Sequence, residues 1–171
     1  MAEALLRLRL AERGVDAGVH SAGLYRGGVE ASAGSVRAMA QRSLDLAGHR
    51  SRSLTADLVR RADVVLGMAR LHVREVVLAC PDAWPRCFTL KELVRRGEAI
   101  GPVAHGQPLD AWLAAAHDGR RRSDLVGDSS EDDVADPIGG PDPLYEATAA
   151  ELDDLVTRLT TLLAPIPGVP A

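Results

Sequence analysis

Residues 62–68, ADVVLGM, make a short apolar run with one charge, set between charged segments whose apolar residues recur at helical spacing. So short a run, rich in valine and leucine, fits a strand covered on both faces, as in a parallel sheet flanked by helices. The segments on either side keep up the alternation. Residues 1–13 carry Leu5, Leu6, Leu8 and Leu10 among arginine and glutamate, and Gly14 ends the pattern,. DAGVHSAG (16–23) reads as a short strand, 32–46 as a helix with Val36, Met39, Ala40 and Leu44 on one face, and 54–61 as a brief helix. Residues 69–79 are expected to be helical, RCFTL (86–90) a strand, and 91–97 a helix stopped by Gly97. A Gly/Pro loop (98–107), a helix over 108–122, a polar loop and a long amphipathic helix over 144–164 follow. Strands alternating with helices place the chain in the α/β class with a parallel sheet.

The length of 171 residues, 46% of them apolar, suits one domain with a buried core,. Residues 1–164 are expected to form that single domain, with 165–171, PIPGVPA, as a disordered Pro-rich tail,. A formal net charge of −4 supplies no basic field for nucleic acid,. No apolar run reaches the length of about 18 residues that a membrane span needs. Charges at Glu3, Arg7, Arg9, Glu12 and Arg13 break up any secretory signal,. The two cysteines, Cys80 and Cys87, are too few for a disulfide framework and lack zinc-like partners,. A cytoplasmic chain without metal or cofactor is the expectation.

Five stretches then fall into one order: MAEALLRLRLAERG, VHSAGL, LAGHRSRSLT, ADVVLGM, and DPIGG followed by an acidic-aliphatic helix. Together, over residues 1 to about 163, they resemble the bacterial low-molecular-weight protein tyrosine phosphatases. The resemblance implies a three-layer α/β/α fold with a small parallel sheet of order 2-1-3-4. It also implies hydrolysis of phosphate monoesters on a phosphorylated protein or a small aryl phosphate, through a phosphocysteine. In that family a first strand leads into a loop of pattern Cys, five residues, Arg, Ser, Pro, and the next residues look like MAEALL. Backbone N–H groups of such a loop and a helix N-terminus cradle the phosphate, and their field keeps the cysteine a thiolate. The chain is therefore expected to be N-terminally truncated, without nucleophile, loop arginine or first strand, and inactive alone.

Residues 80–86, CPDAWPR, repeat the Cys-x5-Arg spacing. Pro81 and Pro85 would remove two donors from a cradle and Asp82 would repel a phosphate, so this copy is not expected to be catalytic. Asp136 is the expected general acid by resemblance. Pro137 fixes the backbone after it, and Gly139 and Gly140 permit a tight turn,. Ser21 and His49 are supporting candidates, the first bracing the phosphate loop and the second the site around it. Tyr25 and Ile138 are candidate walls of the substrate slot, Ile138 and Gly139 standing where aromatic residues follow the Asp-Pro in eukaryotic members. The charge runs Arg120–Arg122 and Glu131–Asp133 read as solvated loop charge.

Two other functions compete. A non-catalytic pseudophosphatase would account for the lost loop, although a binding module would be expected to keep the cradle. An arsenate reductase-like role is suggested by the spacing of Cys80 and Cys87, but Met68 stands where those enzymes place their first resolving cysteine,.

Overall fold

A computed structural model describes residues 1–25 and 27–164, so the expected tail at 165–171 lies outside the described residues. The chain divides into two compact units, Met1–Leu54 with Ala135–Thr160, and Thr55–Val134 with Thr161–Ala171.

In the first unit, α1 (Ala2–Glu12) is built from strong helix formers and buries Leu5 and Leu10,. Gly14 closes it in the left-handed conformation at φ +69, and Val15 N–H reaches back to the Leu10 carbonyl,. Helix α2 (Ala33–Ala40) starts on Ser32, whose hydroxyl accepts the Ser35 N–H, and buries Ala38 and Met39,. It stops short of the expected residue 46. Ser43 turns into the left-handed region at φ +57 and Leu44 N–H returns to the Met39 carbonyl, which closes the helix. Helix α7 (Asp142–Leu163) runs on from this unit. Within the unit it buries Tyr145, Ala149, Leu152, Leu155, Val156 and Leu159 at helical spacing,. Tyr145 requires Gly34: a Cβ there would lie 2.5 Å from the ring. Ion pairs Arg9–Asp153, Arg42–Glu146 and Arg37–Asp142 line the polar side of α7.

DAGVHSAG is not a strand in the structure. A strand exists only through its ladder, and the pairing here is a single parallel bridge from Gly23 to Ser53,. Residues 27–29 are instead stitched to 51–53: Gly28 N–H donates to the Ser51 carbonyl, and Gly27 and Val29 N–H donate to the hydroxyls of Ser53 and Ser51.

The second unit holds the parallel sheet. Strand β1 (Val65–Gly67) pairs with β2 (Cys87–Thr89) in the register Val65↔Cys87, Leu66↔Phe88, Gly67↔Thr89. The strand expected over 62–68 thus narrows to three residues. Val65 and Leu66 are half-buried, whereas all of β2 is buried. Helices α3 (Ala56–Arg61) and α4 (Arg70–Ala79) flank β1 in sequence, and α4 packs on both strands. Helix α5 (Leu90–Ile100) is capped by Thr89, whose hydroxyl accepts the Glu92 N–H at 3.0 Å. It runs through Gly97, the expected stop, because the missing side chain makes room: a Cβ there would meet Leu162 at 2.8 Å and Trp112 at 2.9 Å. Gly101, at φ +85, ends it instead. Helix α6 (Leu109–His117) ends before the expected residue 122, since Gly119 at φ +71 turns the chain and delivers Arg120 inward.

Each run expected to be solvated charge holds structural members, while Arg121, Arg122 and Glu131 are exposed as expected. The Arg120 side chain is 1% exposed and donates from Nε and Nη2 to the two oxygens of Glu92 at 2.7 and 2.8 Å. Its guanidinium lies 3.9 Å from the Trp84 ring centroid and 4.0 Å from that of Phe88, and also donates to the Trp84 and Cys87 carbonyls,. Asp132 is buried and accepts from Arg70 and Arg95 at 2.7 and 2.8 Å. Asp133 takes the Arg70 N–H at the start of α4, supplying the cap that Ala69 cannot,. Counting charges along a loop does not show which of them turn inward.

Candidate active site

The first unit carries every site residue expected from the sequence. At the first turn of α1, Glu3 accepts both the N–H of Ser21, at 3.1 Å, and its hydroxyl. The other Glu3 oxygen takes Arg7 at 2.6 Å, and Arg7 also donates to the Val19 carbonyl at 2.8 Å. Burial pushes the Glu3 carboxyl up, but the Ser21 and Arg7 hydrogen bonds and the charges of Arg7 and His49 together hold it below its ordinary value,. Ser21 and His49, far apart in sequence, therefore act on one carboxylate. Glu3 itself escaped the sequence reading. The available signal was its i,i+4 spacing to Arg7 in a first helical turn, where an acid is favoured,.

Asp136 is exposed and sits on a tight turn. Its Oδ1 accepts the Ile138 N–H at 3.0 Å and Gly140 N–H returns to the Pro137 carbonyl at 2.9 Å, with Gly139 at φ +75,. The second carboxyl oxygen is left for other partners, the state a proton donor needs. Tyr25 is 88% exposed and Ile138 69% exposed. Both offer apolar surface to solvent, and Ile138 meets Asp136 through its own backbone N–H.

The Cys80–Arg86 spacing encloses a 3-10 turn, Pro81–Arg86, rather than a cradle. Arg86 is used up on the carbonyls of Val59, Ala62 and Asp82. Cys80 is buried with its thiol toward the Ala56 carbonyl. Cys87 is fully buried, and desolvation pushes its thiol up to about 12, so it stays protonated at neutral pH,. Both are free thiols. Among the described residues no group of three or more His, Cys, Asp or Glu side chains is placed to hold a metal ion, and no helix is long and apolar enough to cross a membrane.

Comparison with known proteins gives these features a context. The family model for low molecular weight phosphotyrosine protein phosphatase matches residues 1–100. A probable low molecular weight protein-tyrosine-phosphatase, EpsP of Ralstonia solanacearum, is 39% identical over 127 residues, covering 66% of this chain and 83% of the relative. A protein-arginine-phosphatase of Bacillus subtilis strain 168 is 28% identical over 164 residues, covering 95% and 87%. Among solved structures, the low molecular weight protein tyrosine phosphatase of T. tengcongensis superposes with a TM-score of 0.70 at 28% identity, over 95% of this chain and 88% of that one. With more than half its length matched by the family model and its fold shared with solved members, the chain belongs to the low molecular weight phosphotyrosine protein phosphatase family.

Proposed function

We propose that this protein hydrolyses phosphate monoesters on phosphorylated proteins, and small aryl phosphates in their place, from a cytoplasmic location. A cysteine thiolate attacks phosphorus to form a phosphocysteine, Asp136 protonates the departing oxygen, and water then releases phosphate. The Asp136 turn carries this reading, because it leaves one carboxyl oxygen free on a rigid, exposed loop of a chain that belongs to a phosphatase family. Glu3, Ser21 and His49 form a charged brace at the first turn of α1, and Tyr25 and Ile138 are the walls of the substrate slot.

Neither Cys80 nor Cys87 is fit to be the nucleophile, since both are buried and Arg86 is spent on backbone carbonyls. We therefore propose that residues 1–171 alone do not turn over aryl phosphate, and that a Cys-x5-Arg loop encoded ahead of Met1 supplies the reacting atoms. The burial of both thiols weighs against an arsenate reductase-like disulfide shuttle. A non-catalytic binding relic is the outcome if no such loop is encoded. Phosphoarginine is a second substrate reading, supported by the arginine phosphatase of Bacillus subtilis, whose match covers 95% of this chain.

The upstream in-frame DNA and the intact mass of the native protein decide the loop. A stop codon directly ahead of Met1 sinks the catalytic reading. With the loop present, Asp136→Asn is expected to lower kcat on phenyl phosphate by about 10²- to 10⁴-fold, the usual contribution of a general acid. Cys80→Ser is expected to leave it unchanged, and turnover abolished by Cys80→Ser would reinstate the second Cys-x5-Arg motif. Phosphotyrosine and phosphoarginine peptides assayed side by side assign the substrate.

A further inference from the structure

Thr148 is a hydroxyl buried in the second turn of α7, 4% exposed, where an apolar residue would pack at less cost,. A threonine inside a helix commonly turns its hydroxyl back to the carbonyl one turn earlier. This one donates out of the helix, to the carbonyl of Ala135 at 3.3 Å. That carbonyl belongs to the peptide group joining Ala135 to Asp136, so the bond fixes the plane on the N-terminal side of the acid. On the other side Pro137 restricts the backbone of Asp136 to extended conformations. The Ile138 N–H then holds Oδ1, and the start of α7 pins the far end of the turn, where Gly140 has no room for a Cβ: Leu144 would lie 2.7 Å away. Of these restraints, the Thr148 hydroxyl is a side-chain tie from the core to the turn.

We propose that Thr148 is the positioning residue of the Asp136 carboxyl: its bond to the Ala135 carbonyl holds the turn so that the free oxygen of Asp136 delivers its proton to the leaving oxygen. This rests on the reading of Asp136 as general acid. Thr148→Val keeps the shape and removes the hydroxyl, and Thr148→Ser keeps the hydroxyl.

The first measurement needs no turnover. Backbone ¹⁵N relaxation on residues 1–171 is expected to give wild-type order parameters near about 0.85 at Ala135, Asp136 and Ile138, falling below about 0.6 in Thr148→Val and restored in Thr148→Ser. Values for α1 and α7 are expected to stay put. An unchanged turn in the valine variant, or an equal loosening throughout the unit, overturns the proposal. The second measurement uses the chain with its own upstream loop. Thr148→Val is expected to lower kcat on phenyl phosphate about tenfold, with KM unchanged, and on p-nitrophenyl phosphate less than about twofold, because the better leaving group needs less of the acid. Equal losses on the two esters also overturn the proposal. A loop-complete wild type that hydrolyses neither ester brings down the function reading, while a rigid turn in the valine variant brings down this proposal alone.

Discussion

The two units use their polar side chains in opposite ways. In Thr55–Val134 the strongest charges face inward. Arg120 is sandwiched between Trp84 and Phe88 and paired to Glu92, and Asp132 is locked between Arg70 and Arg95. In Met1–Leu54 with Ala135–Thr160 they stay near solvent. Asp136 is exposed, Glu3 keeps a partly open carboxylate beside Ser21 and Arg7, and serine hydroxyls hold a glycine-rich loop in place. Desolvated charges repay their cost only when fully partnered, so they serve as fixed scaffolding. A group that must meet a substrate and exchange a proton cannot be spent in that way. The fold keeps its sheet and buried ion clusters in one unit and its candidate chemistry in the other.

Substitutions can break this contrast. The largest effect is expected for Arg120→Ala, which strands Glu92 and empties the space between two rings. Breaking a buried pair from one side costs about 3 to 5 kcal/mol. Urea unfolding is the measurement, and a loss under about 1 kcal/mol would place Arg120 with ordinary surface arginines.

Next comes Asp132→Asn, expected to cost about 1.5 to 3 kcal/mol at pH 7, the range for hydrogen bonds to charged groups. Burial pushes the Asp132 carboxyl up, but hydrogen bonds from Arg95 and Arg70 and their charges hold it below its ordinary value. Its contribution is therefore complete above the unfolded pKa of about 3.9 and is lost as pH falls through the lower folded value. Wild-type stability should drop below pH 4, and the drop should be shallower in Asp132→Asn. An identical acid limb in the two proteins would count against the pair.

The smallest effect is expected for Glu3→Gln, at about 1 kcal/mol, because its partners are partly solvated. Urea unfolding is again the measurement. A loss as large as that of Asp132→Asn would place Glu3 with the buried scaffold.

Much of the architecture was legible in the residues. The apolar run ending in Met68, the buried RCFTL segment and the leucine-rich opening mark β1, β2 and α1 through hydrophobic periodicity, which needs no distant partner. The Asp136 turn was equally legible, because Pro137, Gly139 and Gly140 dictate its backbone locally,. Features that depend on distant residues were not. DAGVHSAG reads as a short strand, yet pairing alone makes one, and only Gly23 finds a bridge. Gly97 looks like a helix stop until Trp112 and Leu162 pack against it. The arginines at 120–122 and the acids at 131–133 are indistinguishable on paper, yet one arginine and one aspartate are buried while neighbours in each run are solvated. By itself the sequence determined most of the elements, the fold class, the family and the general-acid candidate, all set by local propensity, spacing and motif order. Only the tertiary structure decided which charges turn inward, that Glu3 holds Ser21, and that Thr148 reaches the peptide ahead of Asp136. Those depend on partners brought close by the chain's path through space, and no local pattern encodes them.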